Sequence, residues 1–280
     1  MRKRPIRRIG VVANLQKEEM QSLLGEFVPA LLEEGIEVFM DEETAAFKDW
    51  GSRVKVGISD ECDLIAALGG DGTILKVARQ FSQLDAPILG VKVGRLGFLA
   101  EGRVSENIEW IKKGRFKIQE RMRISARIMD RAKTIQSFSA LNDVVVHGAG
   151  FSRMVTLRTE VDNSFFREYA ADGVILATPT GSTAYSLSAG GPLLVPTLQA
   201  IILAPLCPHS LSIRPIVLDA GQTIIVRVVR GRTDIMVTVD GQEGSGLGIG
   251  QYVEVKKSDR STKLVIPEDY DFFALLREKL

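Results

Sequence analysis

The spacing of apolar positions changes along the chain, and the change divides it in two. Over the first hundred residues, short apolar runs alternate with stretches of helical spacing. Ile9–Ala13 reads as a strand. Across Lys17–Glu34, Met20, Leu23, Leu24, Phe27 and Leu31 recur on one helical face, and Gly35 marks the stop. Ile36–Met40, Asp63–Leu68 and Pro87–Val91 read as further strands, and Thr73 opens a helix that runs to about Phe81. Strands separated by helices imply parallel βαβ units. Ile108–Lys113 reads as one more short helix.

After Arg121 the period falls to two. Ile124, Ala126 and Ile128 alternate with Ser125, Arg127 and Met129; Ile235, Val237 and Val239 alternate with Met236, Thr238 and Asp240. Turn residues punctuate these runs at Gly148, Asp162-Asn163, Gly221, Gly231 and Gly241, and Gly244–Gly250 reads as turns. The pattern predicts a Rossmann-like α/β N-terminal domain with a parallel sheet (1–102). An all-β, sandwich-like C-terminal domain (103–265) follows. The tail, 266–280, is expected to pack back on the first domain.

Composition narrows the classes. With 280 residues, 45% hydrophobic and 25% charged, the chain is ordinary for a soluble globular protein. A net charge of +1 gives no field directed at nucleic acid or membrane, and neither partner is expected. The basic cluster Arg2, Lys3, Arg4, Arg7 and Arg8 reads as a solvated tail. Ile9–Val12 follows it at once, which leaves no room for a signal segment, and no apolar run reaches membrane length. Cys62 and Cys207 form no CxxC pair and read as free thiols in a cytoplasmic protein. His147 and His209 are the only histidines, so a multi-histidine metal site is not expected. His209, between Pro208 and Pro215, reads as structural.

Candidate chemistry concentrates in four places. Residues Leu68-Gly69-Gly70-Asp71-Gly72-Thr73-Ile74-Leu75 follow an apolar run. The glycines allow close backbone approach to an anion, a helix N-terminus favours phosphate, and one acid sits at the turn. An Asp-Gly turn between strand and helix is the alternative. Thr178 to Ser188 carries six Ser or Thr hydroxyl residues in eleven positions. These could line a pocket for a phosphate-bearing ligand, or form a plain loop. Asn142-Asp143 places an amide beside a carboxylate, a pair able to bind two ribose hydroxyls or to sit in an ordinary turn. Asp240-Gly241-Gln242 closes a strand, with a hairpin turn as the alternative. No GxxxxGK[ST], GxSxG or kinase HRD/DFG set is present.

Together these segments resemble the NAD kinase family. The likeness rests on Gly69-Gly70-Asp71-Gly72-Thr73, Leu141-Asn142-Asp143, Asp172-Gly173 with Thr178-Pro179-Thr180-Gly181-Ser182-Thr183-Ala184-Tyr185-Ser186-Leu187-Ser188-Ala189-Gly190-Gly191-Pro192, and Asp240-Gly241-Gln242. It covers roughly residues 8 to 270. The first motif is shared with lipid and sugar kinases; the long one is specific. The resemblance implies transfer of a γ-phosphoryl group, from ATP or polyphosphate, to the 2′-hydroxyl of the adenosine ribose of NAD, giving NADP. It implies Asp71 as the base, with an orienting role as the nearest rival, and Gly72 as a phosphate contact. Asn142 and Asp143 match the pair that grips NAD, and Asp172 a carboxylate near the nicotinamide end. Thr183, Ala184, Tyr185, Ser186, Leu187 and Ser188 match the stretch that wraps the dinucleotide. Gln242 matches a further NAD contact, and Lys76 and Arg153 stand where many relatives touch ligand.

A divalent ion, Mg²⁺, is expected on the donor's phosphates rather than in a protein cage. A homodimer or homotetramer is expected, with the site in the cleft between domains. One departure stands out: many relatives carry Arg two positions before Asp172, where this chain has Ala170. Loss of that cation predicts better tolerance of NADH. The rival readings are a non-catalytic NADP-sensing module of the same fold, which should have lost Asp71, and a lipid or sugar kinase, which should lack the Asp172–Pro192 block.

Overall fold

The computed structural model of the chain describes residues 6–94, 97–99, 102–150, 154–210, 212–231 and 234–280. It forms two compact units, Met1–Glu120 with Thr262–Leu280, and Arg121–Ser261.

The first unit is α/β. Its elements in chain order are β1 (Arg8–Ala13), α1 (Met20–Glu33), β2 (Glu37–Met40), α2 (Glu42–Ala46), β3 (Val54–Val56), β4 (Leu64–Gly69), α3 (Asp71–Gln80), β5 (Ile88–Lys92), α4 (Val104–Lys113) and β6 (Phe116–Arg121). The sheet runs β3-β2-β1-β4-β5, then the late strand Thr262–Pro267, then β6. Pairings from β3 across to Thr262–Pro267 are parallel. β4 is buried at every position, as a central parallel strand covered on both faces must be. α1 buries Met20, Leu24, Phe27, Val28 and Leu31 against that layer. The unit ends at 120 and resumes at 262 because α4, β6 and Thr262–Pro267 complete one sheet and core. The pattern reading had placed the limits at 102 and 266. The terminal helix Phe272–Lys279 belongs to this unit, and its Lys279 ammonium lies over the Phe98 ring.

The strand order reverses between β1 and β4, which run parallel. From β1 the chain steps to β2 on one side, and β4 returns to the other. In open α/β sheets the crevice at the carboxyl ends of such a strand pair is where ligands bind.

The second unit is all-β apart from short helical turns. It contains β7 (Ile124–Asp130), β8 (Lys133–Ala140), β9 (Asp143–Gly148), β10 (Val155–Val161), β11 (Ser164–Ala171) and β12 (Gly173–Ala177). Then come α5 (Tyr185–Ser188), β13 (Ala200–Leu206), β14 (Ile216–Asp219), β15 (Ile224–Gly231), β16 (Ile235–Val239), β17 (Glu243–Leu247) and β18 (Gln251–Lys257). Two antiparallel six-stranded sheets, β11-β10-β15-β18-β7-β8 and β14-β13-β12-β9-β16-β17, share one apolar core drawn from both inner faces. The far face of the second sheet is buried too: Val145, Ile175, Ala177, Ile202, Ala204 and Leu206 form a separate cluster under Ala189 and Leu194. Hence the segment after β12 lies on the sheet as a packed cover.

Two local readings are corrected. α3 begins at Asp71, not Thr73. Gly70 is its extended N-cap, and the Gly70 carbonyl accepts from Thr73 and Ile74. Residues 243–247 are a strand, not turns. β17 has no apolar alternation of its own and is held by full antiparallel register with β16, from Val239 opposite Glu243 to Ile235 opposite Leu247. Among the described residues no helix is long and apolar enough to cross a membrane.

Candidate active site

In the first unit the site is built at the carboxyl ends of β1 and β4. The turn is tight: a Cβ on Gly69 would lie 2.1 Å from the Thr73 hydroxyl and 3.3 Å from Asn14. Only glycine closes that corner. Asp71 then occupies the first turn of α3, where an anionic side chain complements the helix dipole. Its carboxylate accepts the backbone N–H groups of Phe98 (2.8 Å) and Leu99 (3.1 Å). A Cβ on Gly97 would sit 1.8 Å from Asp71 Oδ1, so the residue beside those donors must be glycine. Lys17, after β1, donates its ammonium to the Val93 carbonyl (2.5 Å) at the same edge of the sheet. Pattern reading did not single out Lys17 or Gly97, because neither lies in a recognisable motif. Lys76 turns instead to a groove of about 740 Å³ beside α2, where it pairs with Glu43 at 2.7 Å. Gly72 is exposed at the N-terminal end of α3.

The second unit holds the other candidates. The turn after β16 is a three-residue connection, Asp240 to Gln242, with Asp240 (φ 50°) and Gly241 (φ 63°) left-handed and the Gln242 N–H returning to Val239. Asp240 points its carboxylate back across the sheet. It accepts from three consecutive backbone N–H groups: Leu141 (3.0 Å), Asn142 (2.7 Å) and Asp143 (3.1 Å). Asp240 N–H in turn donates to the Asp143 carbonyl (2.9 Å). Asp143 is 5% exposed. Burial, and then the charge of Asp240, push its carboxyl up to about 7. Asp240 is itself raised by burial, against its three N–H donors and the Arg123 guanidinium. The Asn142 side-chain oxygen is buried and finds no hydrogen-bond partner among the described residues. An orphaned acceptor beside a carboxyl with a raised pKa is an arrangement able to take a ligand with hydroxyl or amide groups.

The hydroxyl-rich segment is partly structural. Thr178 donates to the Leu141 carbonyl (2.5 Å) and accepts from Gly181 N–H (3.1 Å); Ser182 donates to Pro179 (2.7 Å) and accepts from Leu194 N–H (3.0 Å). A Cβ on Gly181 would meet the Asn142 carbonyl at 2.1 Å, so this segment packs directly on the Asn142-Asp143 strand start. Thr183 bonds the Thr180 carbonyl (3.2 Å). Ser186 is fully buried, with its hydroxyl unpartnered in the chain. Tyr185 and Ser188 are exposed; Ala184 and Leu187 are half-buried. A cavity of about 460 Å³, the size of a nucleoside site, is lined by Asp172, Tyr185, His147, Cys207 and Thr238 among others. It joins two residues read from the sequence to three that were not. Ala170 lies half-buried on β11, its carbonyl accepting from His209 N–H. Gln242 is exposed on the hairpin, and Arg153 lies outside the described residues.

A glycine-flanked acid at the switch point of a parallel sheet and an amide–carboxylate pair on a sandwich are the features of a nucleotide-handling enzyme. Residues 9–113 match the ATP-NAD kinase N-terminal domain and residues 141–266 the ATP-NAD kinase C-terminal domain. The chain is 40% identical to an NAD kinase of Caldanaerobacter subterraneus subsp. tengcongensis, over 98% of its length and 99% of that protein's. To an NAD kinase of Geotalea daltonii it is 35% identical, over 98% of each. Among solved structures it is similar to yeast NADH kinase complexed with NADH. That match has a TM-score of 0.88 at 26% identity, covering 98% of this chain and 87% of that one. It is also similar to an Archaeoglobus fulgidus NAD kinase in complex with ATP, with a TM-score of 0.73 at 25% identity, covering 97% and 98%. The chain belongs to the NAD kinase family.

Proposed function

We infer that this chain transfers the γ-phosphoryl group of ATP to the 2′-hydroxyl of the adenosine ribose of NAD, giving NADP. The observation that carries the reading is the family match across both units, with an acid retained at position 71. Phosphoryl transfer asks a protein for positioning and charge stabilisation more than for covalent chemistry. Asp71 takes the proton of the attacking hydroxyl as its oxygen closes on the γ-phosphorus, and ADP leaves. Asn142 and Asp143 hold ribose hydroxyls, the amide oxygen and the carboxylate each accepting one. Asp172 and Tyr185 border the nucleoside-sized cavity and serve the rest of the dinucleotide, with Ala184, Ser186 and Gln242 as further contacts.

Among the described residues no three His, Cys, Asp or Glu side chains converge as a metal site. Mg²⁺ would be carried in on the donor's phosphates and would neutralise their charge there. A homo-oligomer acting in the cytoplasm belongs to the same proposal. The test is NADP formation from NAD, read by an NADP-specific coupled dehydrogenase, with Mg²⁺ and either ATP or polyphosphate. Product with ATP supports the reading; product with polyphosphate alone reassigns the donor; no product with any donor contradicts it.

A further inference from the structure

Asp240 has a geometry that its position in a hairpin turn does not require. A short hairpin connection closes through backbone bonds alone, and here the Gln242 N–H to Val239 carbonyl bond (3.0 Å) already does so. The Asp240 side chain instead reaches the residues about 98 positions earlier in the chain and gathers their N–H groups at 2.7–3.1 Å. Those residues are the last of one connection and the first of β9, where the Asn142 amide oxygen stands orphaned. Without an acceptor beneath them, three converging N–H groups would lose their shared partner in a buried space, each at the cost of an unmade hydrogen bond, leaving the carbonyl-side bonds to Thr178 and Asp240 N–H to hold the backbone.

We propose that Asp240 is a positioning residue for the phosphoryl acceptor. Its carboxylate fixes the backbone of Leu141–Asp143 and so aims the Asn142 and Asp143 side chains at the ribose. The inference rests on the reading above that this pair holds NAD. Asp240 also acts on Asp143 through charge. The groups facing this pair are Asp143 and Asp240 themselves and the Arg123 guanidinium, which precedes β7 and bonds Ser139. NAD hydroxyls donate to an ionised Asp143, so NAD binding should weaken as pH falls through the range where Asp143 gains its proton. Asp240 sets where that range lies.

Asp240→Asn keeps the size and tolerates the left-handed turn, but it removes the charge and turns one acceptor into a donor facing an N–H. Asp240→Gly suits the φ of 50° and removes all three acceptors. Steady-state kinetics over pH 5.5 to 9 should show KM for NAD raised about tenfold or more in both variants, with KM for ATP unchanged within about twofold. In Asp240→Asn the acid limb of KM for NAD should move to lower pH, which a merely structural role would not produce. Variants that fail to fold, or that lose NAD and ATP binding equally with the limb unmoved, would assign Asp240 to the fold alone and overturn the inference. So would wild-type KM for NAD in both. Failure of the wild-type chain to make NADP would instead overturn the reading on which the inference rests.

Discussion

Asp143→Asn should stabilise this protein above neutrality while disabling its use of NAD. Asp143 is 5% exposed beside a second carboxylate, and its carboxyl is raised from 3.8 to about 7. A raised pKa means that the native state holds a proton which the unfolded chain has released. Stability is therefore greatest below the unfolded value and is lost as pH climbs through about 7. Three units, at about 1.4 kcal/mol each, set the loss at about 4 kcal/mol by pH 8. The Asn amide carries no charge and can donate to Asp240, so most of that loss should disappear. Urea unfolding should show the variant more stable than wild type by about 2–4 kcal/mol at pH 8, with that advantage smaller by about 2–3 kcal/mol at pH 5. At the same time KM for NAD should rise, because an uncharged amide oxygen accepts from the ribose more weakly than an ionised carboxylate does. Equal stability differences at both pH values, or a variant destabilised at pH 8, would refute the claim that Asp143 is a strained, ligand-directed acid.

Three further outcomes follow from single contacts. Gly97→Ala places a methyl 1.8 Å from Asp71 Oδ1 and must displace the carboxylate; kcat should fall about a hundredfold with KM for NAD little changed. Thr178→Val removes the bonds to the Leu141 carbonyl and from Gly181 N–H, and urea unfolding should register a loss of about 2–4 kcal/mol from the buried groups left unpaired. Ala170→Arg restores a cation two positions before Asp172, and the ratio of NADH to NAD rates should fall; comparable ratios would dismiss Ala170 as a selectivity position.

Much of the frame was legible because periodicity reports burial directly. β1, α1 and β4 sit within a few residues of their apolar runs, and alternation after Arg121 marked the sandwich. β17 was not legible: Glu243-Gly244-Ser245-Gly246 has no apolar face, and its extension comes from the partner strand. The hydroxyl cluster shows a second limit. Composition marks Thr178 and Ser182 as polar and clustered, but only packing reveals that they satisfy carbonyls and N–H groups of their own surroundings. Partners distant in sequence were equally hidden. Nothing near Lys76 announces Glu43, nothing near Asp71 announces Gly97, and nothing in Asp240-Gly241-Gln242 announces Leu141–Asp143.

The central claim is that Asp71 takes the proton of the attacking ribose hydroxyl. Its most direct test is NADP formation from NAD, Mg²⁺ and donor by wild type and Asp71→Asn, with NAD binding to both measured by calorimetry. Asn preserves the size and one acceptor but cannot take a proton. The account predicts product from wild type, NAD binding retained in the variant, and kcat in the variant lower by about 10² or more. An Asp71→Asn protein that binds NAD and turns over at near wild-type rates would contradict it.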